Sequence, residues 1–253
     1  MDFDALKNQF DRDGFVFVRQ LLPHADFAEL QTNLDRYIRE VVPGLPAADA
    51  FYTDRNRAET LKQLQHMAGD AFFRDYPAHP AWTRLATALI GEAVQGDEPE
   101  WFNKPAGTTS PTPPHQDNYY FCLTPPHVAT LWMALDTIDD ENGCLRYVRG
   151  SHLRSIRPHT SSSVLGFSQT IADFGADPND VAGEVAVHLQ PGDVVVHHGN
   201  TIHRADPNRS PTRHRRAFAI VYRGHSCRRD EPAHARYRAA LETQHAALGV
   251  TGP

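Results

Sequence analysis

The sequence predicts a mainly β protein of the antiparallel sandwich or barrel type, with helices at its N-terminal side. Apolar residues recur at helical spacing in the first hundred residues, whereas short β-rich segments separated by Gly, Pro and Asn follow from about Glu100. The chain shows neither an internal repeat nor a low-complexity linker. We therefore expect a single domain over residues 1–253, with a helical buttress (1–99), a β core (100–225) and a C-terminal helix (226–253).

The N-terminal helices follow from the positions of the apolar residues. Phe3, Leu6 and Phe10 share one helical face, and Gly14 is placed to end that helix. A strand-like alternation then runs over Phe15–Leu22. Further helices are expected from Asp26 to Val41, at Glu59–Met67 and at Pro80–Ala93.

The β-rich half contains four candidate strand regions. They read ATLWMALDTI, CLRYVRG, GEVAVHLQPGDVVVHH and RRAFAIVYRG, and they are accompanied by the turn signals ENG and QPGD. The irregular insert Ser161–Gly183 is expected to form a mobile loop over a site. The tail Glu231–Leu248 is expected to form the last helix.

Composition and charge exclude several classes of protein. The net charge is −6, so the chain lacks the basic footprint of a nucleic-acid-binding protein. No apolar run approaches the roughly 18 residues of a membrane span, and the acidic N-terminus is the reverse of a secretory signal. Three cysteines without CxxC spacing argue against a disulfide framework and a zinc finger. We expect a soluble cytoplasmic protein without nucleic-acid or membrane partners.

The stretch PPHQDNYYF indicates a metal site. His115 and Asp117 are two residues apart, so on a strand both side chains point to the same face and can reach one ion. Two histidines and one carboxylate on one face of Fe(II) leave positions open for a cosubstrate and O₂. The same spacing occurs at His24 and Asp26, but there we interpret Asp26 as the N-cap of a helix.

A third ligand must come from another strand, and the region about eighty residues later offers three histidines. His197 and His198 are consecutive, so at most one of them faces the ion, and His203 follows after a short segment. Basic residues 213–216 open the next strand, where a cation could bind a carboxylate of a metal-chelating cosubstrate. The alternative is that the histidines are core or surface groups and that the arginines only open a solvated strand.

Several segments in series resemble one known family. The segments NKPAG, PHQDNYYF, LWMALDTIDDENGCLRYVRGSH, PGDVVVHHGNTIHRADPNRS and RRAFAIVY resemble the phytanoyl-CoA dioxygenase family of Fe(II)- and 2-oxoglutarate-dependent oxygenases, to which ectoine hydroxylase is related. The resemblance extends over residues 103–222, and GFVFVRQLL is similar to the family's opening strand. It implies a double-stranded β-helix, which is a cupin-like jelly roll, with N-terminal helices packed against it. It also implies the metal Fe(II) and the cosubstrate 2-oxoglutarate.

The family's motifs imply roles for individual residues. The residues that match the metal ligands are His115, Asp117 and His203. The family's arginine for the distal carboxylate of 2-oxoglutarate usually lies eleven residues after the distal histidine, which here is His214, and one extra residue brings Arg215 into that place. Trp132 matches a family tryptophan beside the cosubstrate, and Lys62 matches an auxiliary lysine contact.

Further residues are expected on the substrate side. The family's strand after ENGCL usually continues apolar, whereas this chain adds arginines, of which Arg146 is expected to face the pocket and meet an anionic substrate; exposure to solvent is the alternative. Asn118, Tyr119 and Tyr120 directly follow Asp117 and are expected to line the pocket, with core packing as the alternative for the tyrosines.

The resemblance implies an oxygenase that consumes O₂ and releases succinate and CO₂. Because the carboxylate Asp117 is present, hydroxylation of an unactivated C–H bond is expected rather than halogenation, with desaturation and cyclisation left open. The expected substrate is a small polar or anionic metabolite or a natural-product intermediate. Two alternatives stay open, namely a cupin-like metal enzyme that needs no 2-oxoglutarate and a non-catalytic metal-binding module.

Overall fold

The computed structural model describes residues 1–107, 110–162, 164 and 168–247. The α-helices are α1 (Phe3–Asp13), α2 (His24–Glu40), α3 (Ala71–Asp75), α4 (Pro80–Ile90), α5 (Asn118–Phe121), α6 (Pro178–Ala182) and α7 (Glu231–Ala247). The strands are β1 (Phe15–Val18), β2 (Ala50–Tyr52), β3 (Leu61–Leu64), β4 (Val94–Gly96), β5 (Glu100–Lys104), β6 (Thr112–His115), β7 (Leu123–Thr124), β8 (Val128–Ala134), β9 (Leu145–Val148), β10 (His159–Ser161), β11 (Gln169–Ile171), β12 (Glu184–Val187), β13 (Val194–His198), β14 (His203–Ala205), β15 (Arg215–Gly224) and β16 (Arg228–Arg229).

The larger sheet forms one wall of the interior. Its strands are antiparallel and follow the order β1-β13-β8-β15-β5-β3-β2, with β4 paired to the far end of β15. β15 pairs with β8 from Ala217 opposite Ala134 to Arg223 opposite Val128. Because side chains alternate along a strand, the register decides which residues face the interior.

The smaller sheet, with the order β12-β9-β14-β6, forms the opposite wall. Tyr147, Val187 and Ala205 from this sheet share one buried cluster with Trp132 and Ala217 of the larger sheet. The two sheets therefore enclose a common interior, as the predicted double-stranded β-helix requires.

Helices cover the outer face of the larger sheet. Leu34 of α2 and Leu85 of α4 are buried in a second apolar cluster that also contains Leu131 and Ile220 of the sheet. These helices pack there because each has one apolar stripe to bury. Gly14 ends α1 with a φ of 83°, as predicted. No helix among the described residues is both long and apolar enough to span a membrane.

The structure corrects the helix predicted at Glu59–Met67. This segment contains strand β3 between two short 3₁₀ turns, because Gln63 pairs with Phe102 of β5. Residues 1–99 are therefore more than a helical buttress, since β1, β2, β3 and β4 all lie in the larger sheet.

The interpretation of Asp26 as an N-cap is also wrong. Helix α2 begins at His24, directly after Pro23, so Asp26 lies inside the first turn. Its carboxylate lies 3.4 Å from Nε2 of His79. The His24–Asp26 pattern thus lies in a helix, where Asp26 contacts His79.

The insert Ser161–Gly183 starts in a hairpin formed by β10 and β11. Thr170 of β11 donates from Oγ1 to the carbonyl oxygen of Pro114 at 3.2 Å, which holds the hairpin against β6. Part of the predicted mobile loop falls on residues 163 and 165–167, which lie outside the described residues. Leu248, the predicted end of the last helix, lies outside them as well.

Candidate metal centre and active site

The smaller sheet brings His115 and His203 side by side. His115 ends β6, His203 begins β14, and the two residues are direct partners in the register of these strands. Their ring centroids lie 4.2 Å apart. Asp117 follows in the turn that opens α5. Between the ligand candidates, the buried Gln116 donates from Nε2 to the carbonyl oxygen of Asn200 at 2.8 Å, which ties this turn to the loop before His203.

Three donor atoms converge at this point. Nε2 of His115 lies 3.4 Å from Oδ1 of Asp117, and Nε2 of His203 lies 3.5 Å from the same oxygen. Nδ1 of His115 donates to the carbonyl oxygen of Pro113 at 2.7 Å, and Nδ1 of His203 donates to that of Thr201 at 3.0 Å. Both rings therefore direct an unprotonated Nε2 toward the carboxylate oxygen, as metal ligands do.

The second oxygen of Asp117 is held by the larger sheet. Oδ2 accepts a hydrogen bond from Oγ1 of Thr130 at 2.7 Å and lies 2.9 Å from Nε2 of His197. Thr130 and His197 are cross-strand partners. The hydroxyl of Tyr147 lies 2.9 Å from Nδ1 of His197. With Tyr147 donating to Nδ1, His197 carries its proton on Nε2 and donates it to Asp117, which leaves Oδ1 directed at the two ligand candidates.

The charges of the site suit a divalent cation. Burial alone would raise the pKa of Asp117, but the neighbouring histidines, among them His197, which donates a hydrogen bond to it, hold it well below its usual range. Burial lowers the pKa of His203 well below its usual value, and the nearby His115 and His197 act in the same direction. An ionised carboxylate beside a neutral imidazole is the protonation state that metal binding requires.

The donor set fits an Fe(II) ion. Two imidazole nitrogens and one carboxylate oxygen lie within 4.8 Å of one another. Such a set occupies one face of an octahedral Fe(II) and leaves the opposite face for other ligands. His115, Asp117 and His203 could therefore hold the metal that the sequence predicts.

Arg215 is buried in the same interior. Its side chain is 4% exposed, and the carbon of its guanidinium lies 5.2 Å from the ring centre of Trp132. Trp132 and Thr130 are two residues apart and lie on the same face of β8. The indole therefore stands between Arg215 and Thr130, and Thr130 donates a hydrogen bond to Asp117. Within the described part of the chain, Arg215 pairs with no carboxylate, and its Nε has no hydrogen-bond partner.

A buried guanidinium without a counter-charge is unfavourable, and burial lowers the pKa of Arg215 to about 10. An anionic ligand would supply the missing partner. The neighbouring arginines differ, because Arg213 pairs with Asp139 at 2.8 Å and Arg216 pairs with Asp136 at 2.7 Å. Among residues 213–216, Arg215 is the one that is buried.

Two lysines line a small cavity beside Arg215. Lys62 and Lys104 are among its walls, together with Thr112 of β6. Burial lowers the pKa of Lys62, and burial together with the nearby Arg215 and Lys62 lowers the pKa of Lys104 well below its usual value. Lys104 donates from Nζ to the carbonyl oxygen of Ser110 at 2.8 Å. The structure thus places Lys62 next to Arg215 and adds Lys104, which was not among the predicted residues.

The tyrosines predicted for the substrate side stand at the rim of the site. The ring of Tyr120 lies 5.7 Å from that of His115 in an edge-on arrangement, and Tyr119 stacks on His159 of β10 at 4.0 Å. The side chain of Asn118 instead makes two hydrogen bonds with the backbone at the start of β7. The structure therefore places Tyr120 beside the ligand candidate His115, places Tyr119 against His159, and gives Asn118 a local structural contact.

Arg146 does not lie with the metal residues. Its neighbour Tyr147 on β9 faces the interior, so Arg146 lies on the outer face of the smaller sheet. There its Nε donates to Asp206 at 2.6 Å, and Nη2 donates to Asp140 at 2.9 Å. Because side chains alternate along β9, Arg146 points away from the pocket, which corrects the expectation that it meets a substrate there.

Glu100 is a site residue that the sequence reasoning missed. It pairs with Ala219, a residue of the interior cluster, and so lies on the inner face of β5. Burial raises the pKa of Glu100 to about 7 although Gln63 donates a hydrogen bond to it at 3.3 Å, and the charge of Asp117 acts in the same upward direction. No local pattern indicates this placement, because the pairing of β5 with β15 decides which way Glu100 points.

Comparison with known families covers most of the chain. Residues 10–217 match the family model described as phytanoyl-CoA dioxygenase (PhyH). The peroxisomal phytanoyl-CoA dioxygenase of Rattus norvegicus is 26% identical over 235 residues, which are 87% of this chain and 68% of that protein. In five animal relatives, the segment that matches this chain covers 62–69% of the relative's own length.

Solved structures share the architecture. EctD from S. alaskensis in its apoform has a TM-score of 0.75 at 18% identity, over 90% of this chain and 79% of that one. EvdO2 from Micromonospora carbonacea var. aurantiaca, complexed with 2-oxoglutarate, has a TM-score of 0.68 at 25% identity, over 89% and 91%. These likenesses confirm the predicted fold class.

Proposed function

Since the chain belongs to the phytanoyl-CoA dioxygenase family and is an Fe(II)- and 2-oxoglutarate-dependent dioxygenase, we propose that it hydroxylates an unactivated C–H bond of a small molecule, with succinate and CO₂ as co-products. One observation carries the proposal: a His-Asp-His triad shares one interior with a buried guanidinium that pairs with no carboxylate among the described residues. This is the pairing of groups that a metal-chelating dicarboxylate would bridge.

His115, Asp117 and His203 would hold the Fe(II). When bound, the ion supplies the oxygen chemistry by which hydrogen is removed from an unactivated C–H bond. The chain's own task is orientation: the backbone fixes the tautomer of both imidazoles, while Thr130 and His197 fix one oxygen of the carboxylate. Partners of this kind raise the affinity of a metal site and restrict its geometry.

Arg215 would bind the distal carboxylate of 2-oxoglutarate. Its planar guanidinium can donate two parallel hydrogen bonds, and the indole of Trp132 limits its movement from one side. Lys62 and Lys104 add positive potential at the same cavity, which favours an anion further. Burial strengthens each of these interactions because little water competes for them.

Tyr119 and Tyr120 would form the substrate side. Each ring offers an apolar face with one polar atom, which suits a small molecule of mixed polarity. The hydroxyl of Tyr120 already donates to the carbonyl oxygen of Gln169 at 3.0 Å, so the insert Ser161–Gly183 is attached to this rim. The insert would exclude water from bound substrate. Arg146 pairs with Asp140 and Asp206 on the outer face of the smaller sheet, so it gives no reason to expect a negatively charged substrate.

The test is an anaerobic titration of metal-free protein with Fe(II) and then 2-oxoglutarate, followed by the visible charge-transfer band of the chelate. We expect the band in the wild type and its loss in His115→Ala. Arg215→Ala should raise the 2-oxoglutarate concentration for half-saturation about tenfold or more, because a charge-assisted contact contributes about 1.5–3 kcal/mol. Arg216→Ala is the matched control, since Arg216 is paired with Asp136 and should leave the titration unchanged.

The alternatives give different outcomes in the same experiment. A cupin-like enzyme that needs no cosubstrate would bind iron but form no band with 2-oxoglutarate. A non-catalytic module that forms the band would release no succinate in air with any member of a panel of small metabolites. An equal effect of Arg215→Ala and Arg216→Ala would contradict the assignment of Arg215.

A further inference from the structure

A second group of metal-binding side chains lies at the surface. Asp140, Cys144 and His188 each offer one ligand atom, and these atoms lie within 4.8 Å of one another. Nε2 of His188 lies 3.0 Å from Oδ2 of Asp140, and Sγ of Cys144 lies 3.5 Å from Oδ1. The two contacts end on different oxygens of Asp140, and the sulfur–oxygen separation lies within the roughly 3.3–3.8 Å edge of a tetrahedron around an ion with bonds of about 2.0–2.3 Å.

The fold holds these three residues together. Asp140 and Cys144 belong to the turn between β8 and β9, which is closed by a hydrogen bond from the backbone N–H of Cys144 to the carbonyl of Asp139 at 3.1 Å. His188 is brought beside this turn by an antiparallel bridge between Ile138 and Leu189. The donor atoms thus sit on two segments that the backbone fixes against each other.

Two of the three side chains are open to solvent. The side chains of Asp140 and His188 are 59% and 55% exposed, whereas Cys144 is fully buried. In the metal-free protein the thiol of Cys144 donates to Asp140. Uptake of a divalent cation forms the metal–sulfur bond and breaks the S–H bond, so one proton leaves to solvent for each ion bound.

The surrounding charges favour a cation. The charged groups nearby are the carboxylates of Asp139, Asp140, Glu141 and Asp206 and the guanidinia of Arg146, Arg213 and the buried Arg215. Four carboxylates against three guanidinia leave a local charge of −1, and the next pair outward, Arg204 with Glu184, adds nothing to it. The hydrogen bond from Arg146 orients the carboxylate of Asp140, as outer partners of ligating carboxylates do.

We propose that Asp140, Cys144 and His188 form a binding site for one soft divalent cation of the zinc type, with water as the fourth ligand. Thiolate and imidazole donors select Zn²⁺ and Co²⁺ over Mg²⁺ and Ca²⁺, which prefer oxygen. This site is separate from the triad of His115, Asp117 and His203 in the proposed function, and that triad contains no sulfur.

The experiment uses the whole 253-residue chain, loaded anaerobically with Fe(II) and 2-oxoglutarate and then titrated with Co²⁺. A cobalt–thiolate bond gives a charge-transfer band in the near ultraviolet. We expect one equivalent of Co²⁺ to produce this band and added Zn²⁺ to remove it. Cys144→Ser should abolish the band, whereas Cys227→Ser, which removes a partly exposed thiol elsewhere, should keep it.

His188→Ala tests the site without altering the buried thiol. We expect it to raise the Co²⁺ concentration for half-saturation at least tenfold. The proposal is overturned by a wild type that shows no band, by a band that survives Cys144→Ser, or by a titration that His188→Ala leaves unchanged. Cobalt at the iron triad would have only nitrogen and oxygen ligands, so a failure of the oxygenase proposal would not change the thiolate band.

Discussion

The two imidazoles of the metal triad are oriented in the same way. Each donates its Nδ1 proton to the carbonyl oxygen two residues earlier in the chain, which is Pro113 for His115 and Thr201 for His203. The tautomer that presents Nε2 is therefore encoded within three consecutive residues. The carboxylate of Asp117 is different, because two side chains of the larger sheet orient it.

His197 should matter for metal affinity although it is not one of the proposed ligands. His197→Ala removes a hydrogen bond to Asp117, and loss of such an outer partner typically weakens metal binding about 10–100-fold. We expect a weakening of this size in Fe(II) titrations at saturating 2-oxoglutarate. The neighbouring His198 points to the other face of β13 and packs beside Phe10, so His198→Ala is the control. Equal losses in both variants would contradict a specific role for His197.

Glu100 makes stability depend on pH in the metal-free protein. Its pKa is raised in the folded state to about 7 from 4.5, so the folded protein holds this proton more tightly than the unfolded chain does. The associated stability is full below about pH 4.5 and is lost as the pH rises through about 7. At about 1.4 kcal/mol per pH unit, the rise from 4.5 to about 7 corresponds to a loss of roughly 3–3.5 kcal/mol.

Glu100→Gln should remove this dependence. We expect urea unfolding to show the variant more stable than the wild type at pH 8.5, with a much smaller difference at pH 5.5. A difference that is the same at both pH values would mean that Glu100 ionises normally in the folded protein.

At the scale of elements, the local apolar pattern predicts some strands, whereas other strands form only because they pair with distant segments of the chain. β8 and β15 could be predicted because apolar residues fill LWMALD and RRAFAIVY. β3 could not, since Leu61 and Leu64 are three residues apart and mimic one face of a helix. Its pairing with β2 on one side and with β5 on the other makes this segment extended, and the β5 partner, nearly forty residues away, leaves no trace in the local pattern.

Helix α7 should protect the rim of the site through one side chain. The ring of Tyr237 lies 5.6 Å from that of Tyr120 and 6.4 Å from that of Tyr119, and Cys122, at the end of α5, is 8% exposed. Tyr237→Ala removes two aromatic contacts of about 0.5–1.5 kcal/mol each, so α7 should open about tenfold more often.

The measurement is the rate at which a maleimide labels Cys122, located by peptide mass spectrometry. We expect about a tenfold faster reaction in Tyr237→Ala. Arg238→Ala, on the exposed side of α7, should not change the rate. Labelling that is equally fast in both variants would show that Tyr237 does not hold the helix.

At the scale of the whole molecule, the motif residues could be predicted but their partners could not. His115 and Asp117 are indicated by their spacing, whereas His203 is distinguished from His197 and His198 only by the resemblance to the family. The inward position of Glu100 and the outward position of Arg146 depend on the register between strands, where a shift of one residue would reverse both. For strands that the sequence does predict, such as β9, it does not show which face each side chain takes.

The whole domain should also be stabilised when the proposed ligands bind at the junction of the two sheets. A ligand at 100 times its dissociation constant adds about 2.7 kcal/mol, and for a domain of this size each kcal/mol raises Tm by about 2–4 °C. We therefore expect anaerobic Fe(II) to raise Tm, and 2-oxoglutarate to add a further increase of about 5–10 °C when iron is present. Arg215→Ala should keep the increase caused by Fe(II) and lose most of the increase caused by 2-oxoglutarate, because the metal ligands remain while the carboxylate partner is gone. Arg216→Ala should keep both increases. If 2-oxoglutarate raised the Tm of the wild type and of Arg215→Ala equally, the cosubstrate would bind without Arg215, and the proposed link between the triad and the guanidinium would be wrong.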